Sequence, residues 1–456
     1  MSMSNINTAA ATKTPAKAAL AAWIGSAMEY YDFFIYGTAA ALVFGKVFFP
    51  GSSPSMGLLL ALATFGVGYV ARPVGAFFLG HIGDKFGRKR VLVLTLVLMG
   101  ASTFLVGCLP TYGHVGMLAP TLLVLLRLCQ GFSASGEQAG ANSMSLEHAP
   151  SNRRAFFTSF TLSGTQAGLI LATAVFLPIS RLPEDQLLSW GWRIPFWLSA
   201  FVVLIGYLIR RNLNETPVFE HEQRTRHVAR MPLAVLFKHY SGDVLRVVLC
   251  ALVSTVSTIF GVFALSYAVN VIKIDRGTML WVAILTNIVA LVAIPLFATL
   301  ADRIGRKPVY LLGIIGPALL MFPYLWSIEQ QNIPLIFLFG VLMSGVAYSA
   351  SNGIWPSFFA EMFDTRVRLS GMAIGTQIGF ALAGFAPTIA AAMMKTGPGA
   401  WVPVAWFVAG ACAVAAGSTL TARETYNVKM DELGRKKGSP VVKKTPSDAP
   451  AEEGSS

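Results

Sequence analysis

Charged residues are scarce in this sequence, and their scarcity excludes an ordinary soluble protein. Asp, Glu, Lys and Arg make up 12% of the 456 residues, whereas a soluble globular chain carries roughly 25%. Hydrophobic residues make up 54%, and they are gathered in runs of about 20, the length that crosses roughly 30 Å of hydrocarbon. The alternating segments of about ten residues that are typical of a membrane β-barrel are absent. The sequence therefore predicts an all-α polytopic membrane protein.

Cysteine is scarce too, and the motifs of soluble enzymes are missing. Cys108, Cys129, Cys250 and Cys412 all lie inside apolar runs, which indicates small buried side chains and not a disulfide framework or a metal site. The sequence contains no phosphate-binding loop, metal-ligand cluster or nucleophile triad. The first apolar run is too long for a signal-peptide core and lacks a cleavage site. We therefore expect no enzymatic activity and no bound cofactor.

The apolar runs predict twelve transmembrane spans. Their bounds are 18–44, 57–80, 91–109, 117–140, 155–179, 192–211, 244–270, 278–299, 309–326, 334–356, 370–393 and 402–421. A central loop, 212–243, separates the six spans within 18–211 from the six within 244–422. The tails are 1–17 and 423–456, and the polar composition of the second predicts disorder.

Basic residues give the predicted bundle an orientation. The formal net charge is +13, which in a soluble protein would indicate a nucleic-acid partner. Here most Lys and Arg lie in the loops on one side of the spans, for example Arg88-Lys89-Arg90 and Arg153-Arg154. By the positive-inside rule that side is cytoplasmic. We therefore expect both termini in the cytoplasm and no nucleic-acid partner.

The two predicted halves carry the same motifs in the same order. Gly80-x3-Asp84-x2-Gly87-Arg88 recurs as Asp302-x2-Gly305-Arg306. Glu147, Arg153-Arg154 and Gly164-Thr-Gln-Ala-Gly168 recur as Glu361, Arg366 with Arg368 and Gly375-Thr-Gln-Ile-Gly379. Copies on the same side predict two parallel-repeat six-helix bundles, an architecture used by secondary transporters.

The repeated hinge predicts a gate. Asp84 can accept hydrogen bonds from a helix N-terminus, Gly87 allows a tight turn, and Arg88 can pair with an acid such as Glu147. Such contacts would close the cytoplasmic side and break on inward opening. The same roles are predicted for the remaining gate residues, which are Gly80, Asp302, Gly305, Arg306 and Glu361. Alternatively, the basic residues only enforce topology and bind lipid headgroups.

Ionisable residues inside a span are candidates for function because burying them is costly. Glu29 and Asp32 share one face of the first span. Arg127 lies near the middle of the fourth span, with Glu137 further along the same stripe. We predict proton coupling by a carboxylate of the first span paired with Arg127, and Glu137 as a second proton site or a latch. The alternative is a fixed ion pair that locks two helices together.

A different set of polar residues predicts recognition of a small anionic or zwitterionic molecule. The planar guanidinium of Arg72 matches a carboxylate with two hydrogen bonds, although Arg72 could instead pack helices beside Pro73. The second half lacks charges in the middle of its spans, and its neutral side chains suit hydroxyl and carbonyl groups. The predicted substrate-binding residues are Tyr36, Arg72, Gln130, Gln138, Gln166, Asn352 and Gln377.

Several of these motifs resemble those of a known family. The hinge Gly80–Arg90 and its copy at Asp302 are similar to the signature of the major facilitator superfamily. Arg127-x2-Gln130-Gly131 resembles the fourth-helix motif of its proton-linked members, and Glu215-Thr-Pro-Val-Phe219 resembles the motif after helix six. Three stretches are similar to the metabolite:proton symporters, and most of all to their shikimate-transporter branch: Glu29–Gly37, Ala63–Pro73 and Ser189–Phe196. One departure is Gly136-Glu-Gln-Ala-Gly140, where relatives often carry Gly-Glu-Trp-Gly-Gly.

The resemblance implies a carrier of the bacterial inner membrane that imports a small organic acid with a proton by alternating access. It implies the proton as the only coupling ion. We also expect the lipid bilayer as surroundings and a monomer. Two alternatives remain open at this point. One is an osmolyte carrier for proline or betaine, although the long heptad-bearing tail of an osmosensor is missing, and the other is a proton-driven exporter.

Overall fold

The computed structural model describes residues 14–86, 88–135, 142, 145–146, 149–211, 232–364, 367–395, 397–429 and 432–434. These residues form helices and connecting turns, and no β-strand occurs among them. Gly87, Glu137, Gln138 and Glu147 lie outside the described residues, as do the side chains of Asp84 and Arg88 and the surroundings of Gly80.

Twelve long helices follow the twelve predicted spans. In chain order they are α1 (Thr14–Ala39), α2 (Pro54–Phe86), α3 (Arg88–Cys108), α4 (Leu118–Ala134), α5 (Arg154–Ile179), α6 (Ile194–Arg211), α7 (Ser241–Val271), α8 (Arg276–Ile304), α9 (Arg306–Glu329), α10 (Ile333–Glu361), α11 (Arg368–Gly384 and Ala386–Met393) and α12 (Val402–Thr421). In the described part of the chain, nine helices are long and apolar enough to cross a membrane, and three shorter apolar helices belong to α3, α4 and α6. The all-α, twelve-helix prediction is confirmed.

Some helices depart from their predicted bounds or from regular α-helical form. Helix α2 continues to Phe86 and α3 begins at Arg88, so the predicted hinge Gly80–Arg90 is helical on both sides of Gly87. At about 50 Å helix α2 is longer than the hydrocarbon layer. A π-helical segment, Ala40–Phe44, directly follows α1. Helix α7 contains two π-helical segments, Ile259–Ala264 and Tyr267–Val271, and α10 contains one, Val341–Ala347. A further helix, Pro232–His239, lies within the predicted central loop.

The repeated Gly-Thr-Gln-x-Gly motif places glycines where two helices touch. A Cβ atom at Gly168 of α5 would lie 2.3 Å from the carbonyl oxygen of Ala27 in α1. A Cβ atom at Gly379 of α11 would lie 2.7 Å from the carbonyl oxygen of Val248 in α7. Helices α1 and α7 open the two halves, so the motif makes the equivalent contact in each. Small residues four apart allow this approach in membrane helices.

The two ends of the helical bundle differ in composition. Arg153, Arg303 and Arg306 lie at one end, which we call the basic end, and Lys46 and Glu184 lie at the opposite end. Large exposed tryptophans gather at the opposite end, at Trp190, Trp197, Trp281, Trp326 and Trp406. Tryptophan is enriched where a membrane protein meets the headgroup region, so these side chains mark one membrane boundary.

The two halves meet along two main seams. Helix α5 packs against α8, and α2 packs against α11. Each seam joins a helix of the first half to a helix of the second. The space between the halves, bounded by these seams, is where the candidate site lies.

The seam between α1 and α5 generates a prediction for stability. Gly168→Ala places a methyl group against the backbone of α1, so the helices must separate, at a cost of about 1–3 kcal/mol. We expect the melting temperature of the purified protein in detergent to fall by several degrees. The matched control is Gly410→Ala, since a Cβ atom at Gly410 meets nothing within 4 Å. Equal melting temperatures for the two variants would contradict the tight seam.

Candidate functional site

A cavity of about 110 Å³ lies between the two halves. The first half contributes residues of α1, α2 and α5, including Tyr30, Arg72 and Gln166, and the second half contributes residues of α7, α8, α9, α10 and α11. Arg72 is the only charged residue in the described lining. In the described ranges no group of three His, Cys, Asp or Glu side chains is placed to hold a metal ion. Because the charge in the described lining is the positive charge of Arg72, the cavity can recognise a small molecule that carries a negative group.

Arg72 lies in the wall of this cavity beside a carboxylate. Its Nη2 atom is 4.0 Å from Oε1 of Glu29, and both side chains are almost fully buried. The guanidinium carbon lies 4.4 Å from the ring centre of Phe33 and 4.8 Å from that of Tyr69. Its N–H groups donate no hydrogen bond to a described residue, so the neighbouring carbonyls do not hold it. Arg72 can therefore donate to a ligand.

Arg127 lies deeper in the first half and has different partners. Its Nη1 atom donates to Oε1 of Gln130 (3.1 Å), and its Nη2 atom donates to the carbonyl oxygen of Phe65 (3.3 Å). Its guanidinium carbon is 3.9 Å from the ring centre of Phe33 and 4.1 Å from that of Tyr36. A Cβ atom at Gly68 would lie 2.6 Å from its Nε atom. Glycine at that position therefore makes room for the arginine.

Asp32 is buried without an arginine beside it. The residue is 2% exposed, and it makes no hydrogen bond or ion pair with a described residue. Residues Tyr30, Phe34 and Thr38 of α1 face the cavity, and Asp32 lies on the other side of the helix. Among the described residues no ion pair joins Arg127 to either carboxylate of α1. Beside the central cavity, the ion pair among the described residues therefore joins Glu29 to Arg72 and not to Arg127.

Neutral polar side chains line the second half of the cavity. Asn352 is among them, and so are residues that were not among the predicted substrate-binding residues, for example Ser254, Ser257, Asn287 and Tyr348. The sequence pattern of these helices does not distinguish polar residues that line the cavity from polar residues that pack between helices. Three predicted residues do not line the cavity, namely Tyr36, Gln130 and Gln377. Gln130 instead donates to Thr103 (2.8 Å) as it supports Arg127.

At the basic end, Arg306 is held by two acids. Its Nη1 atom is 2.7 Å from Oδ1 of Asp302, and its Nε and Nη2 atoms donate to the two oxygens of Glu361 at 3.2 and 3.1 Å. Bidentate pairing of this kind fixes the geometry of both groups. Between α8 and α9, Gly305 adopts a φ of +112°, a conformation that favours glycine. These are the predicted gate residues of the second half, and the structure brings them together.

Two contacts tie this cluster to the first half. Asp302 accepts hydrogen bonds from the backbone N–H groups of Ala155 (3.1 Å) and Phe156 (2.9 Å), at the start of α5. The Nε atom of Arg154 lies 3.2 Å from Oε1 of Glu361. A carboxylate at a helix N-terminus stabilises the unpaired N–H groups and the dipole there. We call Arg154, Asp302, Arg306 and Glu361 the basic-end network.

The segment after α12 joins the same network. Glu424 accepts hydrogen bonds from the backbone N–H groups of Arg306 (2.8 Å) and Lys307 (3.0 Å). Thr425 donates to Glu361, and Arg154 donates to the carbonyl oxygens of Thr425 and Tyr426, both at 3.1 Å. The sequence predicts disorder from Arg423 onward, whereas these residues are held by charge-assisted hydrogen bonds. Composition alone could not reveal partners on α5, α9 and α10.

The halves also touch at the opposite end. Asn270 of α7 donates to the carbonyl oxygen of Ala41, in the π-helical segment that follows α1 (2.8 Å). Glu184 accepts a hydrogen bond from Lys46, and its second oxygen lies 3.9 Å from Nη2 of Arg276. The hydrogen bond and the positive charge of Lys46 hold the pKa of Glu184 below its usual value, with smaller help from Arg276. Glu184 is exposed, so this contact is weak compared with the basic-end network.

Two family models together match most of the chain. The model described as "Sugar (and other) transporter" matches residues 18–239. The model described as "Major Facilitator Superfamily" matches residues 247–446. The boundary between the two matches falls close to the start of α7, where the second half begins.

Curated relatives and solved structures agree with these matches. The shikimate transporter of Escherichia coli (strain K12) is 38% identical over 90% of this chain and 94% of its own length. The proline/betaine transporter of the same strain is 35% identical over 90% of this chain and 84% of its own length. The partially occluded inward-open xylose transporter XylE from E. coli has a TM-score of 0.71 at 18% identity, covering 89% of this chain and 97% of XylE.

Identity above 30% across nearly the whole length of a relative is enough to establish the family, and the XylE structure shows the same fold. The relatives are membrane carriers and not enzymes. The chain therefore belongs to the major facilitator superfamily of secondary transporters, and within it to the metabolite:proton symporter family.

Proposed function

We propose that this protein imports a small organic acid together with a proton across the bacterial inner membrane. The observation that carries the proposal is Arg72, which lines the central cavity, lies 4.0 Å from Glu29 and donates no hydrogen bond to a described residue. A guanidinium so placed binds a carboxylate with two hydrogen bonds. The shikimate transporter among the relatives supports a hydroxylated carboxylic acid, since Ser257, Asn287 and Asn352 can meet hydroxyl groups.

Glu29 is the group that we assign to the proton. When Glu29 is ionised, it compensates the charge of Arg72 at 4.0 Å. Protonation of Glu29 removes that compensation, so Arg72 attracts the carboxylate of the substrate more strongly. By thermodynamic reciprocity a bound carboxylate favours the protonated form of Glu29. Proton and anion therefore enter the carrier together, with no other coupling ion or cofactor.

The basic-end network is the gate on the cytoplasmic side in this proposal. The basic residues of that end support its cytoplasmic orientation by the positive-inside rule, and we propose on the same ground that both termini are cytoplasmic. Asp302 and Glu361 hold α5 against the second half while that end is closed. Inward opening requires these bonds to break, and the monomer then releases its substrate.

An osmolyte carrier is the second candidate. The proline/betaine transporter among the relatives supports it, and so do the aromatic rings of Phe34, Trp355 and Phe380 in the cavity wall. A zwitterion such as betaine could place its carboxylate on Arg72 and its ammonium group over these rings.

Uptake into proteoliposomes tests the substrate class. Labelled shikimate, α-ketoglutarate, betaine and proline are offered with the outside acidic, and we expect shikimate or α-ketoglutarate to accumulate above its equilibrium level. Arg72→Gln should lower that uptake by at least tenfold, whereas Arg72→Lys, which keeps the charge without the planar fork, should retain a part. Accumulation of betaine or proline alone would favour the second candidate. Full uptake by Arg72→Gln would refute the role of Arg72.

The assignment of the proton is tested by two neutral variants of neighbouring acids. Glu29→Gln should lose accumulation driven by the pH gradient but retain exchange of preloaded substrate, because the carrier then behaves as if permanently protonated. Asp32→Asn is the matched control, since Asp32 makes no ion pair with Arg72 or with another described arginine whereas Glu29 does, and it should keep at least half of the accumulation. If Asp32→Asn uncouples transport and Glu29→Gln does not, the proton belongs to Asp32.

The gate is tested by removing one helix cap. Asp302→Ala deletes the acceptor that spans the halves, worth about 1 kcal/mol or a factor of about five in the population of the closed state. We expect net transport to slow about fivefold, with substrate affinity changed less than twofold. The control is Asp275→Ala, because Asp275 caps α8 within its own half through the N–H of Thr278 (2.8 Å). Equal slowing by both variants would show that the loss of any helix cap slows transport, and it would contradict a specific role of Asp302 in the gate.

A further inference from the structure

A second cavity, of about 450 Å³, lies at the basic end between the two halves. Asn152, Arg153 and Phe156 line it from the start of α5, and Thr299, Asp302 and Arg303 line it from the end of α8. It opens beside the basic-end network and is separate from the central cavity. We call it the α5–α8 groove.

The groove carries two uncommitted positive charges. Arg153 and Arg303 are both exposed, and neither side chain makes an ion pair or hydrogen bond with a described residue. The acid between them, Asp302, is already engaged by Arg306 (2.7 Å) and by the N-terminus of α5. Asp302 therefore does not compensate the two exposed arginines, and the groove attracts an anion.

An apolar stripe leads from the groove along the outside of α8. Leu296, Leu300 and Ile304 are 65%, 37% and 53% exposed, and they follow one another at intervals of four residues. Arg303 lies on the same face, because it follows Leu296 by seven residues and Leu300 by three. A ligand that fits has a negative head for the arginines and an apolar chain for this stripe.

We propose that the α5–α8 groove binds an anionic phospholipid, with its phosphate between Arg153 and Arg303 and an acyl chain along α8. Arginine binds phosphate through charge-assisted hydrogen bonds, and exposed basic residues at a membrane surface attract anionic lipids. Asn152 supplies a further donor at the rim. One arginine comes from each half, so the lipid bridges them.

Bridging makes the binding dependent on conformation. Arg153 immediately precedes Arg154 and Ala155, which contact Glu361 and Asp302 across the halves. If α5 separates from α8, the two arginines separate as well. A ligand that binds one arrangement better shifts the population toward it, so the lipid stabilises the closed basic end.

The test uses the purified full chain in detergent. Its melting temperature is measured with added dioleoylphosphatidylglycerol, with dioleoylphosphatidylcholine and with inorganic phosphate. Native mass spectrometry of the same mixtures counts bound lipids and gives their affinity. The variants are Arg303→Gln, Arg153→Gln and the double variant. The matched control is Lys238→Gln, an exposed basic residue at the same end but away from the groove. In detergent solution the added lipid can reach both ends of the protein, and no transport is measured. The result therefore depends neither on the proposed orientation in the membrane nor on the proposed substrate.

We expect the anionic lipid to raise the melting temperature of the wild type and of Lys238→Gln, and to bind the double variant at least fivefold more weakly with a correspondingly smaller rise. Phosphatidylcholine should have little effect. Equal affinity and stabilisation in the wild type and Arg303→Gln would overturn the proposal. If inorganic phosphate stabilises the protein as strongly as the anionic lipid does, the groove binds a free phosphate and the proposed lipid is wrong. If Arg153→Gln unfolds the protein, Arg303→Gln alone carries the test.

Discussion

Around the central cavity, the described part of the first half buries the arginines Arg72 and Arg127 and the carboxylates Glu29 and Asp32. Keeping these charges buried is the constraint on which the rest of the site depends. A charge in low dielectric costs several kcal/mol unless it is paired or hydrogen-bonded. Arg72 is paired with Glu29, whereas Arg127 is held by Gln130 and by ring faces. Phe33 serves both arginines, at 4.4 and 3.9 Å from its ring centre. A change of charge at one carboxylate is therefore felt by the whole group.

The fold was largely predictable because lipid leaves few choices. Every backbone polar group must be satisfied within its own segment, so each apolar run becomes a helix. The Gly-Thr-Gln repeat at Gly164 and Gly375 predicted two parallel halves, and both copies turn out to pack α5 on α1 or α11 on α7. Helix ends were less predictable, since α2 runs to Phe86 through charged residues. Hydropathy follows the hydrocarbon boundary and not the end of the hydrogen-bonded helix.

The sequence predicted which charged residues belong to the site, but it did not predict which of them contact each other. Spacing along α1 places Glu29 and Asp32 on one face, yet it cannot tell which arginine lies across from that face. The structure puts Arg72 beside Glu29 and leaves Asp32 without an arginine. Residues Asn287 and Gln377 show the same difficulty, because both are polar positions of buried helices and only the first lines the cavity. Which face of a helix meets the cavity depends on tertiary packing.

Helix α5 connects the coupling site to the gate. Gln166, in its middle, lines the central cavity, while Gly164 and Gly168 bring its backbone against α1, the helix that carries Glu29. Its first turn is held by Asp302 and Glu361 of the second half. Helices α1 and α5 are packed too closely to slide past one another easily, so they move together. If a change of charge at Glu29 shifts α1, α5 shifts with it, and the contacts of its first turn with Asp302 and Glu361 are strained. The packing of α1 on α5 is therefore a physical connection between the proton site and the basic-end network.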